Sequence, residues 1–217
     1  MRIGGLQKTS FLDYPHQMAC VIFTVGCNFR CPFCHNKELV NEQISKLVNE
    51  QISEEEIFTF LEQRKNILEG VVVSGGEPTM QNDLVLFIEK IKKMGYLVKI
   101  DTNGTNPEVL QELIDKKLID FVAMDIKNDW ENYEKTIGVK TDLEKIKKSV
   151  EIIKNSGIDH QFRSTIVRGL HDKRMIEEIK KEFPDVVLQK FRAQNCLDPK
   201  FLETKEWDEQ EWLDITE

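Results

Sequence analysis

The sequence predicts an α/β protein built on a parallel sheet, and three observations carry that prediction. Six short runs are rich in Val, Ile or Phe and bounded by turn residues. Segments with apolar residues at helical spacing lie between them, which is the βαβ pattern that right-handed crossovers produce. The chemically distinctive residues fall just after the runs, where open parallel sheets and barrels place their sites. Strand and helix spacing alone leave an open Rossmann-type sheet and a partial barrel both available.

Taken in order, the first run is Ala19–Thr24, and a cysteine-rich loop follows it. Next comes a tandem octapeptide: Leu39-Val-Asn-Glu-Gln-Ile-Ser-Lys46 is followed by Leu47-Val-Asn-Glu-Gln-Ile-Ser-Glu54. Two copies cannot build a solenoid, so this reads as a local duplication that lengthens the connection. Ser53-Glu54-Glu55-Glu56 forms a capping box ahead of Ile57, Phe60 and Leu61. After the second run, Gly70–Ser74, a helix carries Leu84, Phe87, Ile88, Ile91 and Met94 and stops at Gly95. The third run is Leu97–Asp101. Asn106-Pro107 then supplies an N-cap with proline at the first helical position, before Leu110, Leu113 and Ile114. The fourth run, Asp120–Asp125, precedes a capping box at Thr141–Glu144, with Leu143, Ile146, Val150 and Ile153 on one face and Gly157 as terminator. His160–Val167, a helix from Asp172 to Pro184, and Val186–Phe191 complete the pattern.

At 217 residues the chain suits a single domain, 1–217, with enough apolar residues for a core. The net charge of −8 argues against a nucleic-acid partner, since phosphate contacts need a basic stripe and Lys145, Lys147 and Lys148 alternate with glutamates. The opening residues lack the apolar stretch of a signal peptide, and the longest apolar runs are too short to cross a bilayer. A cytoplasmic protein without a membrane partner is expected. Five cysteines, three of them within eight residues, indicate metal ligation in a reducing compartment rather than disulfides.

Those three are Cys27, Cys31 and Cys34, in Val25-Gly-Cys-Asn-Phe-Arg-Cys-Pro-Phe-Cys-His-Asn36. Three thiolates at this spacing can hold an iron–sulfur cube and leave one iron open, as a catalytic zinc keeps an open position. A zinc site completed by His35 is a second reading, although His35 directly follows Cys34. An electron-transfer cluster is a third, although it would normally take four cysteines. Cys20 and Cys196 read as buried apolar thiols.

Cys-x3-Cys-x-aromatic-Cys after a first strand resembles the signature of the radical S-adenosylmethionine (SAM) superfamily. Val73-Ser-Gly-Gly-Glu-Pro78 after the second is similar to its SAM-amino-binding turn. The resemblance implies a partial (β/α)6 TIM-type barrel with parallel strands, a [4Fe–4S] cluster on Cys27, Cys31 and Cys34, and SAM on its open iron. One-electron reduction there yields methionine and a 5′-deoxyadenosyl radical. No catalytic residue beyond cluster and SAM is required.

Gly26–Asn36, Asp101-Thr-Asn-Gly104 and Met124-Asp-Ile-Lys127 resemble the subgroup that activates glycyl-radical enzymes. This implies SAM contacts from Gly75, Gly76, Glu77, Pro78, Asp101, Thr102, Asn103, Asp125, Lys127 and Arg163, and a monovalent cation near Asp101, Thr102 and Asp125. For Arg163 a structural ion pair is an equal alternative. Gly5–Pro15 and Leu188–Arg192 are similar to the longer-form branch serving anaerobic ribonucleoside-triphosphate reductase. The implied partners are that reductase and a flavodoxin or ferredoxin. His16 departs from the branch, which has glycine there. Gln189 to Arg192 stand where formate-lyase activators place a late histidine. The alternatives are a small-molecule enzyme, such as a 7-carboxy-7-deazaguanine synthase, and an iron–sulfur electron carrier or zinc module.

Overall fold

A computed structural model describes residues 1–40 and 52–217. Residues 41–51, most of the duplicated octapeptide, lie outside the described residues. One sheet has seven strands in strictly sequential order: β1 (Ile3–Ser10), β2 (Ala19–Thr24), β3 (Gly70–Gly75), β4 (Leu97–Thr102), β5 (Phe121–Asp125), β6 (Asp159–Ile166) and β7 (Val187–Lys190). Strands β2 to β7 are all parallel. Because every crossover steps the same way, right-handed connections place the helices on one face. The order never reverses, so the switch point of a doubly wound sheet is absent. This singly wound order is that of the expected partial barrel.

The sequence reading missed β1, which runs antiparallel to β2 with two register irregularities. Its Ile-Gly-Gly-Leu-Gln-Lys-Thr-Ser lacks the apolar alternation that marks a strand; tertiary pairing makes it one.

Alternation along the parallel strands sorts the core. Ile22, Val71, Val73, Val98, Ile100, Val122 and Met124 are buried beneath the helices. They meet Phe87, Ile88 and Ile91 of helix Leu84–Lys93, Leu110 and Leu113 of Pro107–Asp115, and Ile146, Val150 and Ile153 of Leu143–Ser156. Each such side chain stabilises the fold by about 1.5–3 kcal/mol relative to exposure. The opposite, inner face starts apolar at the amino ends of the strands. There Ala19, Val21 and Val72 surround Tyr14, whose ring lies 6.0 Å from that of Phe121. Gly70 makes room for it, since a Cβ there would sit 2.8 Å from Tyr14 Cδ1. Tyr14 thus forms the floor of the interior.

The helix signals hold with two corrections. Ser53 and Glu56 make the expected reciprocal capping box. Helix Leu143–Ser156 is capped by Asp142, which accepts from Glu144 N, and not by Thr141. Asn106 caps nothing with its side chain; its amide donates to Thr79 Oγ1 at 2.9 Å. Among the described residues, no helix is long and apolar enough to cross a membrane.

Candidate active site

The carboxyl ends of the strands open into a cavity of about 440 Å³, lined by Cys27, Cys31 and Cys34, the Gly75-Gly76 turn, and Asp101, Asp125, Lys127 and Arg163. The cysteine loop leaves β2 at Gly26, whose φ of 102° suits glycine. Arg30 N donates to Ile137 O at 2.9 Å and Cys34 N to Cys31 O at 3.0 Å, so the backbone of the loop is fixed from both sides. Phe29 meets the edge of Tyr133, and Phe33 that of Phe191. Burial pushes the Cys27 thiol up to about 11 and that of Cys31 to about 12, and raises that of Cys34. Thiols in such a pocket become ligands only when a metal centre stabilises the thiolate.

The glycine turn is set by close approach. A Cβ on Gly76 would lie 2.2 Å from Gly26 O, and one on Gly75 would lie 2.4 Å from Thr24 N, with Gly75 also at φ 110°. Glu77 N donates to Gly26 O at 2.8 Å, stitching the turn to the cysteine loop. The Glu77 side chain is buried and committed to the protein: Oε1 accepts from Thr102 Oγ1 at 2.8 Å and Oε2 from Asn103 N at 2.7 Å. Burial raises its pKa against those hydrogen bonds. Pro78 is buried at the start of a short 3₁₀ turn. Asn103 likewise faces the protein, donating to Asn28 Oδ1 and accepting from Thr105. Glu77, Pro78 and Asn103 therefore build the wall of the site, while the glycines leave backbone exposed to it.

In the same cavity wall five charged side chains alternate in sign: Lys99 and Asp101 on β4, Arg163 on β6, Asp125 at the end of β5 and Lys127 just beyond it. Asp125 accepts from Arg163 Nε at 3.0 Å and from Lys127 Nζ at 3.0 Å. Arg163 Nη1 also lies 3.6 Å from Asp101 Oδ2, which accepts from Ser74 Oγ at 3.0 Å. Lys99 pairs with Asp101 Oδ1. Burial alone would raise the Asp125 pKa, but the flanking Arg163 and Lys127 outweigh it and hold the carboxyl well below the usual range. The Asp125 carboxylate holds Lys127 and Arg163 firmly protonated against the opposing effect of burial. The anionic partner that an inward arginine needs is thus supplied by protein carboxylates.

Sequence reasoning missed several contributors. Lys99 is two residues before Asp101 on the same strand face, a signal that alternation could have given. His171, whose pKa burial lowers, accepts from Val167 N at 3.1 Å and donates to Lys127 O at 2.8 Å, fixing the loop after β5. A third brace comes from far along the chain. His35 stacks on Phe191 and donates to Arg192 O at 2.8 Å, Asn195 Nδ2 donates to His35 O at 2.8 Å, and Asp198 N donates to Pro32 O at 2.8 Å. Cys20 and Cys196 are buried apolar thiols, as expected. The expected cation ligands do not converge: Thr102 turns its hydroxyl to Glu77, away from Asp101, and Asp125 is engaged by Arg163 and Lys127.

Among the described residues, no three His, Cys, Asp or Glu side chains converge on one position for a single ion. The three thiols nevertheless share one cavity. Three thiolates are the donor set of an iron–sulfur cube that keeps one iron open.

Residues 21–181 match the radical SAM superfamily. A Methanocaldococcus jannaschii protein, whose name assigns it to the glycyl-radical enzyme activating enzymes, is 37% identical over 207 residues, covering 92% of this chain and 83% of that protein. The Clostridium pasteurianum pyruvate formate-lyase-activating enzyme is 31% identical over 187 residues, covering 83% and 74%. Streptococcus suis SuiB bound to precursor peptide SuiA shares the fold at a TM-score of 0.67 and 15% identity, over 90% of this chain and 43% of that one.

Proposed function

The chain belongs to the radical SAM superfamily, an enzyme family that uses a [4Fe–4S] cluster and S-adenosylmethionine, and from that premise we propose that it installs a radical on a backbone glycine of a larger client enzyme. The observation that carries this reading is one cavity that brings together three cysteine thiols and a ladder of alternating charges. When bound, cluster and SAM supply one-electron cleavage of a carbon–sulfur bond and abstraction of a hydrogen atom.

The protein's residues hold and orient. Cys27, Cys31 and Cys34 are the cluster ligands. Gly75 and Gly76 offer bare backbone to the amino end of the nucleotide's methionine part. Arg163 and Lys127 would hold its carboxylate, and Asp101 and Asp125 its cationic groups, so a zwitterion would find both signs in one cavity. Phe29 and Phe33 screen the loop from water. Glu77 takes no direct part; it ties the glycine turn to the end of β4. No side chain need move a proton, since a hydrogen atom leaves the client directly. The client must bring its glycine within near contact of the reacting carbon.

The relatives named as activating enzymes span most of this chain, which favours a glycyl-radical client. Of such clients we propose anaerobic ribonucleoside-triphosphate reductase. The similarity of Gly5–Pro15 and Leu188–Arg192 to that branch supports it. The electron would come from a flavodoxin or ferredoxin.

The test is anaerobic. Protein loaded with iron and sulfide, given dithionite and SAM, should release 5′-deoxyadenosine. Addition of the reductase should produce a doublet electron-spin signal on the reductase. Silence on every glycyl-radical client, with turnover of a pterin-type substrate instead, would overturn the activase reading and favour deazaguanine synthesis.

A further inference from the structure

We propose that Lys99 is a cation built into the site: its ammonium serves Asp101 where a monovalent metal ion was expected, so that SAM cleavage by this protein needs neither Na⁺ nor K⁺. The inference rests on the cofactor site alone and not on the identity of the client.

Four observations carry it. Lys99 is buried, with only 3% of its side chain exposed, and pairs with Asp101 Oδ1. The other oxygen of Asp101 already accepts from Ser74 Oγ and lies 3.6 Å from Arg163. Both oxygens of Asp125 are engaged by Arg163 and Lys127. Thr102, being next to Asp101 on a strand, points to the other face and donates to Glu77. The side-chain oxygens that would have to meet a free cation are therefore already engaged within the protein.

Packing gives no reason for a lysine at this position. In register, Lys99 lies between Val72 of β3 and Phe121 of β5, both part of the apolar floor beneath Tyr14. A Leu or Met would fill that space without desolvating a charge. The ammonium makes sense through the carboxylate one row above, which borders the cavity. By neutralising Asp101 from below, Lys99 sets the charge that a zwitterionic ligand meets. It is a positioning residue, acting through Asp101.

The experiment compares wild type, Lys99→Met and Lys99→Gln, each freed of alkali metal and assayed in choline chloride, NaCl or KCl at one ionic strength. No client is present, so a wrong client assignment cannot affect the result. Wild type should release 5′-deoxyadenosine at rates within about twofold in all three salts. Lys99→Met should lose about tenfold or more in choline, as expected when a buried charge loses its partner, and should recover in NaCl or KCl. A second readout needs no cofactor: the melting temperature of the apoprotein should be the same in choline and potassium for wild type, but higher in potassium for Lys99→Met. A several-fold gain of wild type on adding K⁺ or Na⁺ would overturn the proposal. So would full activity of Lys99→Met in choline, or a loss that no ion restores. If Lys99→Met does not fold, Lys99→Gln and the wild-type salt comparison still decide the matter.

Discussion

The two ends of the inner sheet face are built by opposite rules. At the amino ends of the strands, Tyr14, Val21, Val72 and Phe121 close the interior with apolar contact, and Gly70 yields its side chain so that a ring can lie flat. Towards the carboxyl ends the sheet carries Asp101 on β4, Asp125 on β5 and Arg163 on β6, and the loop after β2 carries three thiols. The backbone pairing is continuous between the two, so the contrast lies wholly in side chains. On this face apolar packing lies at the floor and chemistry at the mouth, as parallel barrels in general divide them. The division is testable because each end can be damaged separately.

The largest effect should come from the mouth. Replacing any one of Cys27, Cys31 or Cys34 by Ser should abolish 5′-deoxyadenosine release and the visible absorbance of the cluster, while circular dichroism of the apoprotein stays that of the wild type. Retained cleavage in all three variants would remove the basis of the comparison.

The floor should respond in the reverse way. Tyr14→Ala leaves a cavity beneath Phe121 and should cost about 3–5 kcal/mol in urea unfolding, with SAM cleavage per folded molecule changed by less than about twofold. A floor variant that kept its stability but lost its chemistry would show that the two ends are coupled.

Between them lies Asp125, whose replacement should touch both properties. Asp125→Asn leaves Arg163 and Lys127 without their shared carboxylate. Because 32% of the Asp125 side chain is open to the cavity, water screens the loss, and about 1–3 kcal/mol of stability should go. The sign with pH is fixed: a carboxyl whose folded pKa is depressed stabilises the protein above its unfolded value of about 3.9. The gap between wild type and variant should therefore be full at pH 7 and shrink as the pH falls below about 4, measured by urea unfolding across that range.

The smallest effect is expected at Cys196. Cys196→Ala removes one buried sulfur that donates weakly to Gln194 O, at 3.5 Å. It should cost about 1 kcal/mol and leave the cluster spectrum unaltered.

What could be read in the sequence was whatever depends on spacing along the chain. The six parallel strands follow from β-branched runs, and Cys27, Gly75, Asp101 and Asp125 follow from their places at strand ends. What could not be read depends on partners distant in sequence. Strand β1 exists because β2 pairs with it, against its own composition. Glu77 was expected to face the ligand but is drawn inward by Thr102 and Asn103, which the chain supplies only after another helix and strand. Tyr14 stood in a recognisable segment, yet its role as floor needs Gly70 of β3 and Phe121 of β5. The hydroxyl of Thr102 was expected beside Asp101 but serves Glu77, because alternation sends adjacent residues of a strand to opposite faces.

The brace on the cysteine loop has a bearing on biosynthesis. Asn195 reaches His35 across 160 positions of sequence, and Asp198 reaches Pro32 across a similar span. A ribosome makes the thiols long before this brace, so a nascent chain carries the three sulfurs while His35 and Pro32 still lack the partners that the distant segment brings.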